Sequence, residues 1–200
     1  MQMKKERTGN KLIAMLLAAV LLAAMLTGCA SGAENAVKAD LESMRSSDHD
    51  PETAEEISEM LSDQGREYYD QFISRTGEFE YKITGHDKVS ASDDGETAGE
   101  RTVVHVRITT YDFASEYLKT WSEFLEKSDG SAGEYDSAEL YEMLFENLAK
   151  TEDRDYTADV DIVCTQDEDG EWHTDATSNR ALRDAIYGGM LIEMGMLAGM

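Results

Sequence analysis

The sequence predicts an α+β domain, in which helices pack against a curved antiparallel sheet of about four strands built from two hairpins. Two segments that alternate apolar with polar residues are each joined by an Asp-Gly turn to a further strand-like segment, which is typical of a β-hairpin. The segments around these hairpins repeat apolar residues at helical spacing. Helices and hairpins in this order indicate an antiparallel sheet covered by helices.

Two helices are expected before the first hairpin. The first covers residues 33–46, and its apolar stripe consists of Ala33, Val37, Leu41 and Met44. Asp50 and Pro51 predict the start of the second, because a capping aspartate followed by proline commonly begins a helix. Its apolar stripe consists of Ile57, Met60, Leu61, Tyr68, Tyr69 and Phe72. Gly65 lies on that stripe, where it either permits close packing or breaks the helix.

The first hairpin is expected to join a strand at 77–84 to a second strand through a turn at Asp94-Gly95. The first strand alternates strictly, with an apolar face of Phe79, Tyr81 and Ile83. On the second strand one face carries Val104, Val106 and Ile108, and the other carries Val103, His105, Arg107 and Tyr111.

Two helices, a second hairpin and a last helix follow. Helical spacing predicts one helix with Tyr117, Leu118, Trp121, Phe124 and Leu125, and a capping box at Asp136 and Glu139 begins the next. Residues 156–164 alternate as a strand, and Asp169-Gly170 turns the chain into a return strand. The last helix is expected to run without a break through Leu182, Ile186, Met190 and Leu191.

The first 28 residues have the layout of a secretory signal. Residues 1–11 carry four basic side chains and one acid, and residues 12–26 are uncharged and apolar. A membrane-spanning helix usually needs about 20 apolar residues, so a permanent anchor is the weaker interpretation. The tetrapeptide LTGC at 26–29 closely resembles the bacterial lipobox. That resemblance implies cleavage before Cys29 and a diacylglyceryl thioether on its sulfur, usually with a further acyl group such as palmitate on the new amino terminus.

Charge and cysteine count exclude several classes of protein. Removing residues 1–28 takes away four of 18 basic and one of 42 acidic residues, so the formal charge falls from −24 to −27. Such a chain repels nucleic acid, and it either has a highly solvated surface or attracts cations and cationic peptides. If Cys29 carries lipid, Cys164 has no partner for an intramolecular disulfide and is expected to be a small core residue.

Several segments carry a resemblance to a known family. AVKADLESMRSSD, VVHVRITTYDF and DEDGEWHTD followed by RALRDAIYGG resemble small lipoproteins, mostly of Gram-positive bacteria, with a nuclear-transport-factor-2-like (cystatin-like) fold. The resemblance covers nearly all of residues 33–190 and consists of packing residues. It implies a cone-shaped architecture, in which helices on a curved sheet leave a cavity. Thr174 stands where an aliphatic residue is commoner in that family.

Candidate site residues follow from that implied cavity. Some cone-fold relatives are isomerases or dehydratases that use a cavity Asp or His with Tyr hydroxyls, and the corresponding candidates here are Tyr81, His105, Tyr111 and Asp161. The alternation places Tyr81 on an apolar face but His105 and Asp161 on polar faces, which argues against one shared site. No catalytic residue and no cofactor are predicted. No metal site is predicted either, because DEDG at 167–170 lacks the ligand spacing of a calcium loop.

The predicted organisation is a removed signal peptide at 1–28, a lipidated tether at 29–32, one α+β domain at 33–191 and a Met-rich apolar tail at 192–200. We expect a non-catalytic binding or interaction module of the bacterial cell envelope, lipid-anchored to the membrane and facing outside the cytoplasm. Its partner is expected to be a small ligand or an envelope protein. The alternatives are an isomerase- or dehydratase-like enzyme and an envelope protein that self-associates through Met190, Met194 and Met196.

Overall fold

The computed structural model describes residues 28–46, 59–89, 100–127 and 137–198, with side chains between residues 32 and 195. The leader at 1–27, the expected helix start at Asp50-Pro51, the turn at Asp94-Gly95, the cap at Asp136 and the side chain of Met196 lie outside this description. The larger helices and the strands, in chain order, are α1 (Gly28–Ser46), α2 (Asp63–Thr76), β1 (Glu80–Val89), β2 (Arg101–Thr110), α3 (Phe113–Lys127), α4 (Ser137–Lys150), β3 (Tyr156–Gln166), β4 (Trp172–Thr174), α5 (Arg180–Ile186) and α6 (Met190–Ala198).

The four strands form one antiparallel sheet in the order β1-β2-β3-β4. This arrangement confirms the predicted α+β class and the antiparallel sheet of four strands. The central pair is the most regular, since β2 and β3 match residue for residue from Arg101 with Thr165 to Thr110 with Tyr156. Among the helices of the described segments, none is long and apolar enough to cross a membrane.

The core beneath the sheet is built by α1 and α5, which both pack on the same face. Ala33, Val37 and Leu41 of α1 are fully buried against Val104, Val106 and Ile108 of β2 and Ile162 and Cys164 of β3. Leu182 and Ala185 of α5 close the same core. The apolar stripe of α1 and the period-two alternation of the strands therefore meet as one layer against another.

A second core lies among α2, α3, α4 and the start of α6. It is rich in aromatic rings that meet edge to face: the ring centroids of Tyr69 and Phe145 are 5.0 Å apart, and those of Phe72 and Phe113 are 5.2 Å apart. Such edge-to-face pairs favour fixed ring orientations beyond simple burial. Trp121, expected at the centre of α3, is only half-buried, because Phe113, Tyr117, Thr120 and Phe124 form the buried face of that helix.

The second predicted helix is interrupted within the described residues: residues 59 and 60 are helical, the chain leaves the helix at Leu61 and Ser62, and α2 begins at Asp63. Ser62 is its N-cap, and the Ser62 hydroxyl accepts a hydrogen bond from the backbone N–H of Gly65 at 3.1 Å. Gly65 itself is buried, and a Cβ there would lie 3.1 Å from the Cγ of Glu142 on α4. The glycine thus permits close packing of α2 on α4, while the break in the helix occurs at Ser62.

The strand β1 extends five residues beyond the predicted end at 84. Its register with β2 shifts between Ile83 and Gly85, which is a β-bulge. The bulge reverses the phase of the alternation: Tyr81 and Ile83 face the core before it, whereas Gly85 and Asp87 lie on the opposite face after it. The strict alternation visible in the sequence therefore ends at the bulge although the strand continues.

The predicted continuous C-terminal helix is wrong, because α5 ends at Ile186 and α6 starts at Met190. Gly188 and Gly189 separate them with φ angles of 58° and 78°, which L side chains rarely adopt. Their N–H groups donate to Ala185 O at 3.1 Å and Asp184 O at 2.9 Å, the hydrogen-bond pattern of a Schellman cap. The break turns the chain from the sheet core into the helical core, where Met190 is buried.

Candidate functional site on the open face of the sheet

The face of the sheet that points away from α1 carries an array of charged side chains. Because alternate residues point to opposite faces, the strands that bury Val104, Val106 and Ile162 present His105, Arg107 and Asp161 to solvent. In the described segments no helix packs on this face, which we call the open face. It is formed by Lys82 and Asp87 of β1, His105 and Arg107 of β2, and Asp159 and Asp161 of β3.

His105 is held between two carboxylates from the neighbouring strands. Its Nδ1 lies 2.7 Å from an oxygen of Asp161 on β3, and its Nε2 lies 3.2 Å from an oxygen of Asp87 on β1. The hydrogen bond to Asp161, with a further one to Asp87, raises the pKa of His105 above its ordinary value. A ring whose two nitrogens both face carboxylates is best satisfied as an imidazolium that donates at each end.

Arg107 and Asp159 form the neighbouring cross-strand pair. The guanidinium donates from Nε at 2.8 Å and from Nη2 at 2.9 Å to the two oxygens of one carboxylate, which is the bidentate arrangement that arginine favours. This pairing lowers the pKa of Asp159. Charges of both signs therefore stand side by side on the open face and bridge β2 to β3.

The structure brings together two of the four predicted candidates. His105 and Asp161 are in contact on the open face, whereas Tyr81 lies on the opposite face, where its hydroxyl donates to Glu42 of α1 at 2.9 Å. Tyr111 follows the end of β2, and its hydroxyl donates to Glu78 at 2.6 Å. Because that hydrogen bond raises the pKa of Tyr111, the phenol stays protonated at neutral pH.

A second histidine cluster lies at the hairpin between β3 and β4. Side-chain ligand atoms of Asp167, Glu171 and His173 lie within 4.8 Å of one another, and all three residues are exposed. His173 contacts Asp167 at 2.7 Å, which raises the pKa of the imidazole and lowers that of the carboxyl. Alternate residues of a hairpin share a face, so the spacing of Asp167, Glu171 and His173 around Gly170 is the sequence signal for this cluster.

Two concave regions accompany these surfaces. An open cleft of about 560 Å³ runs between α1 and the outer side of β1, lined by Glu34, Lys38, Tyr81, Ile83, Thr84, Gly85 and His86. A small apolar cavity of about 90 Å³ lies between α3, α4 and α6, lined by Tyr117, Thr120, Trp121, Leu140, Tyr141, Leu144 and Met194. Of the methionines expected at a self-association surface, Met190 is 5% exposed and belongs to the core, whereas Met194 is 38% exposed.

Cys164 is an interior residue of β3 and not a reactive group. Burial raises the pKa of its thiol to about 11, so the thiolate that nucleophilic chemistry requires is scarce at neutral pH. Its Sγ lies 3.9 Å from the carbonyl oxygen of Ala33 on α1.

Asp87 was not predicted as a partner of His105, because Gly85 is the one sequence signal for the bulge that turns Asp87 onto the open face. The open face therefore combines two anticipated residues with one that depends on the register. Comparison of the chain with models of protein families, with curated proteins and with solved structures finds no match in any of the three.

Proposed function

We propose that the chain is a lipid-anchored interaction module at the outer face of a bacterial cell membrane, without catalytic activity. The observation that carries this proposal is the tetrapeptide LTGC at 26–29, which directly follows an uncharged apolar run and a basic head. Cleavage before Cys29 makes that cysteine the first residue of the mature chain. Two or more acyl chains then give stable attachment, since each buried methylene contributes about 0.8 kcal/mol.

The start of α1 fits an anchor close to the domain. Helix α1 begins at Gly28, and Ala33, four residues after Cys29, is fully buried. At about 1.5 Å per residue, four residues of helix span about 6 Å. A lipid on Cys29 would therefore hold the domain directly at the bilayer surface, with the end of the hairpin β3–β4 nearby, because Trp172 packs on Gly32.

The open face is the proposed interaction surface. It is exposed, it carries charges of both signs, and it lies on a hydrogen-bonded antiparallel sheet, which suits recognition of a polar envelope protein or ligand. Catalysis by His105 is disfavoured, because a general base needs a free ring nitrogen beside its substrate and both nitrogens here face carboxylates. The high negative charge of the chain disfavours nucleic acid as the partner.

The nuclear-transport-factor-2-like relationship is part of the same proposal. It is supported by the antiparallel sheet with helices packed on one face and by the late hairpin that returns to α1. In this chain the space between α1 and the sheet is filled by Val37, Leu41, Val106 and Ile162. A ligand would accordingly be bound on the outside of the sheet and not inside a cone.

The anchor is tested by metabolic labelling of cells with an alkyne analogue of palmitate. The full chain and its Cys164→Ala variant should incorporate the label, and Cys29→Ala should not, since it lacks the thiol that carries the lipid. Protease added to intact protoplasts should degrade the wild-type domain. Equal labelling of the Cys29→Ala variant, or protection from the protease, would refute the proposed location.

The interaction surface is tested separately with a photo-crosslinking amino acid in living cells. One variant carries it at Thr157, an exposed position of β3 on the open face, and the matched control carries it at Lys119, an exposed position of α3. A discrete cross-linked product is expected at Thr157 alone. Identical products at both positions would show that the open face has no specific partner.

A further inference from the structure

Strand β1 forms one edge of the sheet and is its most exposed long strand. Within the described segments β2 is its one pairing partner, so the outer edge of β1 has no strand beside it there. The open cleft beside α1 adjoins this strand at Tyr81 and at residues 83–86. The side chains from His86 to Val89 are all exposed. An edge of ten residues with room beside it is a template for a further strand.

The bulge in β1 places a charged side chain from each half of the strand on the same face of the sheet. Without it, Lys82 and Asp87 would lie on opposite faces, because they are an odd number of residues apart. The shift between Ile83 and Gly85 instead brings both onto the open face, where Lys82 lies opposite Arg107 and Asp87 lies opposite Val103 of β2. The side chains of Lys82 and Asp87 therefore flank the bulge on the same side of the sheet.

The strand is self-complementary when it is paired antiparallel with a second copy of itself. If the two-fold axis passes between Thr84 and Gly85, Lys82 of each copy lies opposite Asp87 of the other. The same register matches Tyr81 with Lys88 and Ile83 with His86, all on the face turned towards α1. A register shifted by one residue would oppose residues that point to different faces of the sheet, so the bulge selects against it.

We propose that β1 pairs with β1 of a second copy of this chain, so that two four-stranded sheets join into one of eight strands. Opposite charges directly across strands stabilise such a pair, and the two-fold axis supplies the Lys82–Asp87 pair twice. Lys82 has no carboxylate partner within the described part of the chain, and Asp87 is 80% exposed despite its contact with His105. The cleft of about 560 Å³ leaves open space beside β1 on the side towards α1.

Lysines and bulges at sheet edges commonly prevent such pairing, and here both features instead fit one specific register. The bulge lies at the two-fold axis, where it disturbs one step of the ladder, and Lys82 meets an acid. The large negative charge of each copy opposes association at long range, but salt near physiological concentration screens it beyond about 8 Å. The hydrogen bonds and the Lys82–Asp87 pairs between the two strands act over distances much shorter than this screening length.

Cross-linking of the full chain in cell membranes tests the pairing. Thr84→Cys places a thiol next to the two-fold axis, so a short bis-maleimide should yield a covalent dimer. The matched control is Lys119→Cys, an exposed position of α3 away from β1 and from the open face, and the wild type reports the background from Cys29 and Cys164. A dimer yield no higher in Thr84→Cys than in Lys119→Cys would overturn the proposal.

Charge reversal in the Thr84→Cys background tests the register. Lys82→Glu and Asp87→Lys each turn two attractions into two repulsions, and each should lower the dimer yield about tenfold at low expression. The double variant restores opposite charges and should recover the yield, which a variant that merely unfolds would not do. Lys119→Glu, the same charge change on α3, should leave the yield unchanged.

The result also distinguishes β1 from the Met-rich tail as the contact. Deletion of residues 193–200, which is all of the tail except Ile192 and its hydrogen bond to Asp184, should leave the Thr84→Cys dimer intact, because the tail takes no part in the strand pairing. Loss of the dimer on that deletion, or a yield that neither charge reversal lowers, would overturn the pairing of β1 with β1.

Discussion

Replacement of Gly188 by alanine should destabilise the domain more than any other glycine-to-alanine change described. A Cβ at this position would lie 2.1 Å from the backbone oxygen of Tyr111 and 2.9 Å from the backbone nitrogen of Phe113. Because both atoms belong to the backbone between β2 and α3, the clash can be relieved only by moving that junction. The residue also has a φ of 58°, where a side chain adds its own steric cost.

The magnitude follows from these two contributions. A left-handed conformation costs a non-glycine residue about 1–2 kcal/mol, and overpacking against fixed neighbours typically costs a further 1–3 kcal/mol or so. The expected loss in free energy of unfolding is therefore about 2–5 kcal/mol. Urea titration of the unlipidated fragment 30–200, followed by circular dichroism, measures it.

Gly195 provides the matched control in the helix α6. Apart from its chain neighbours and the backbone of its own helix, no heavy atom of the described residues lies within 4 Å of a Cβ built there, so the same substitution meets open space. Gly195→Ala should stabilise the domain by up to about 1 kcal/mol through helix propensity. If Gly188→Ala unfolds at the wild-type midpoint, or if both variants lose the same stability, the assignment of a Schellman cap between α5 and α6 is refuted.

Two other expectations concern the core and the open face. Ile162→Ala should lower the free energy of unfolding by about 2–5 kcal/mol, because Ile162 is fully buried. Trp121 is only half-buried, so Trp121→Ala should cost less than the roughly 3–5 kcal/mol typical of a buried tryptophan. A loss at Trp121 equal to or larger than that value in urea titrations would contradict this packing. The raised pKa of His105 means that its pairs stabilise the fold fully below the ordinary pKa of about 6.5 and lose that effect as the pH rises through the folded-state pKa. The urea midpoints of the wild type and of His105→Gln should therefore converge as the pH is raised. An NMR titration that finds the pKa of His105 at or below its ordinary value would contradict the two hydrogen bonds.

Local periodicity was sufficient to predict most of the helices and strands. A helix or strand that buries one face carries apolar residues on that face, so its sequence shows the period directly. Examples are the helical stripe of Ala33, Val37 and Leu41 and the alternation through Val104 and Val106. The break at Gly188 was missed for the same reason. Leu182, Ile186 and Met190 keep helical spacing across it, although they enter two different cores.

The open face depended on information that local periodicity lacks. Alternation places His105 and Asp161 on polar faces, but their contact requires β2 and β3 to pair in one register although these residues are 56 positions apart in the sequence. Asp87 joins them only because of the bulge near Gly85, whose position in a strand is set by the neighbouring strand. Pair contacts of this kind arise from the whole sheet and not from any one segment.

The contact of α1 with the last strands sets the order in which this chain can fold. Ala33 contacts Cys164, which lies 131 positions later in the sequence. Gly32 packs under Trp172, and Asp40 accepts a hydrogen bond from Thr174. The apolar stripe of α1 thus lacks these partners until the C-terminal third has been synthesised. Contacts between such distant segments slow folding, since the long loop must close before the contacts form. A chain exported from its N-terminus would keep this helix uncovered during most of its passage, when extracytoplasmic chaperones and proteases can reach it.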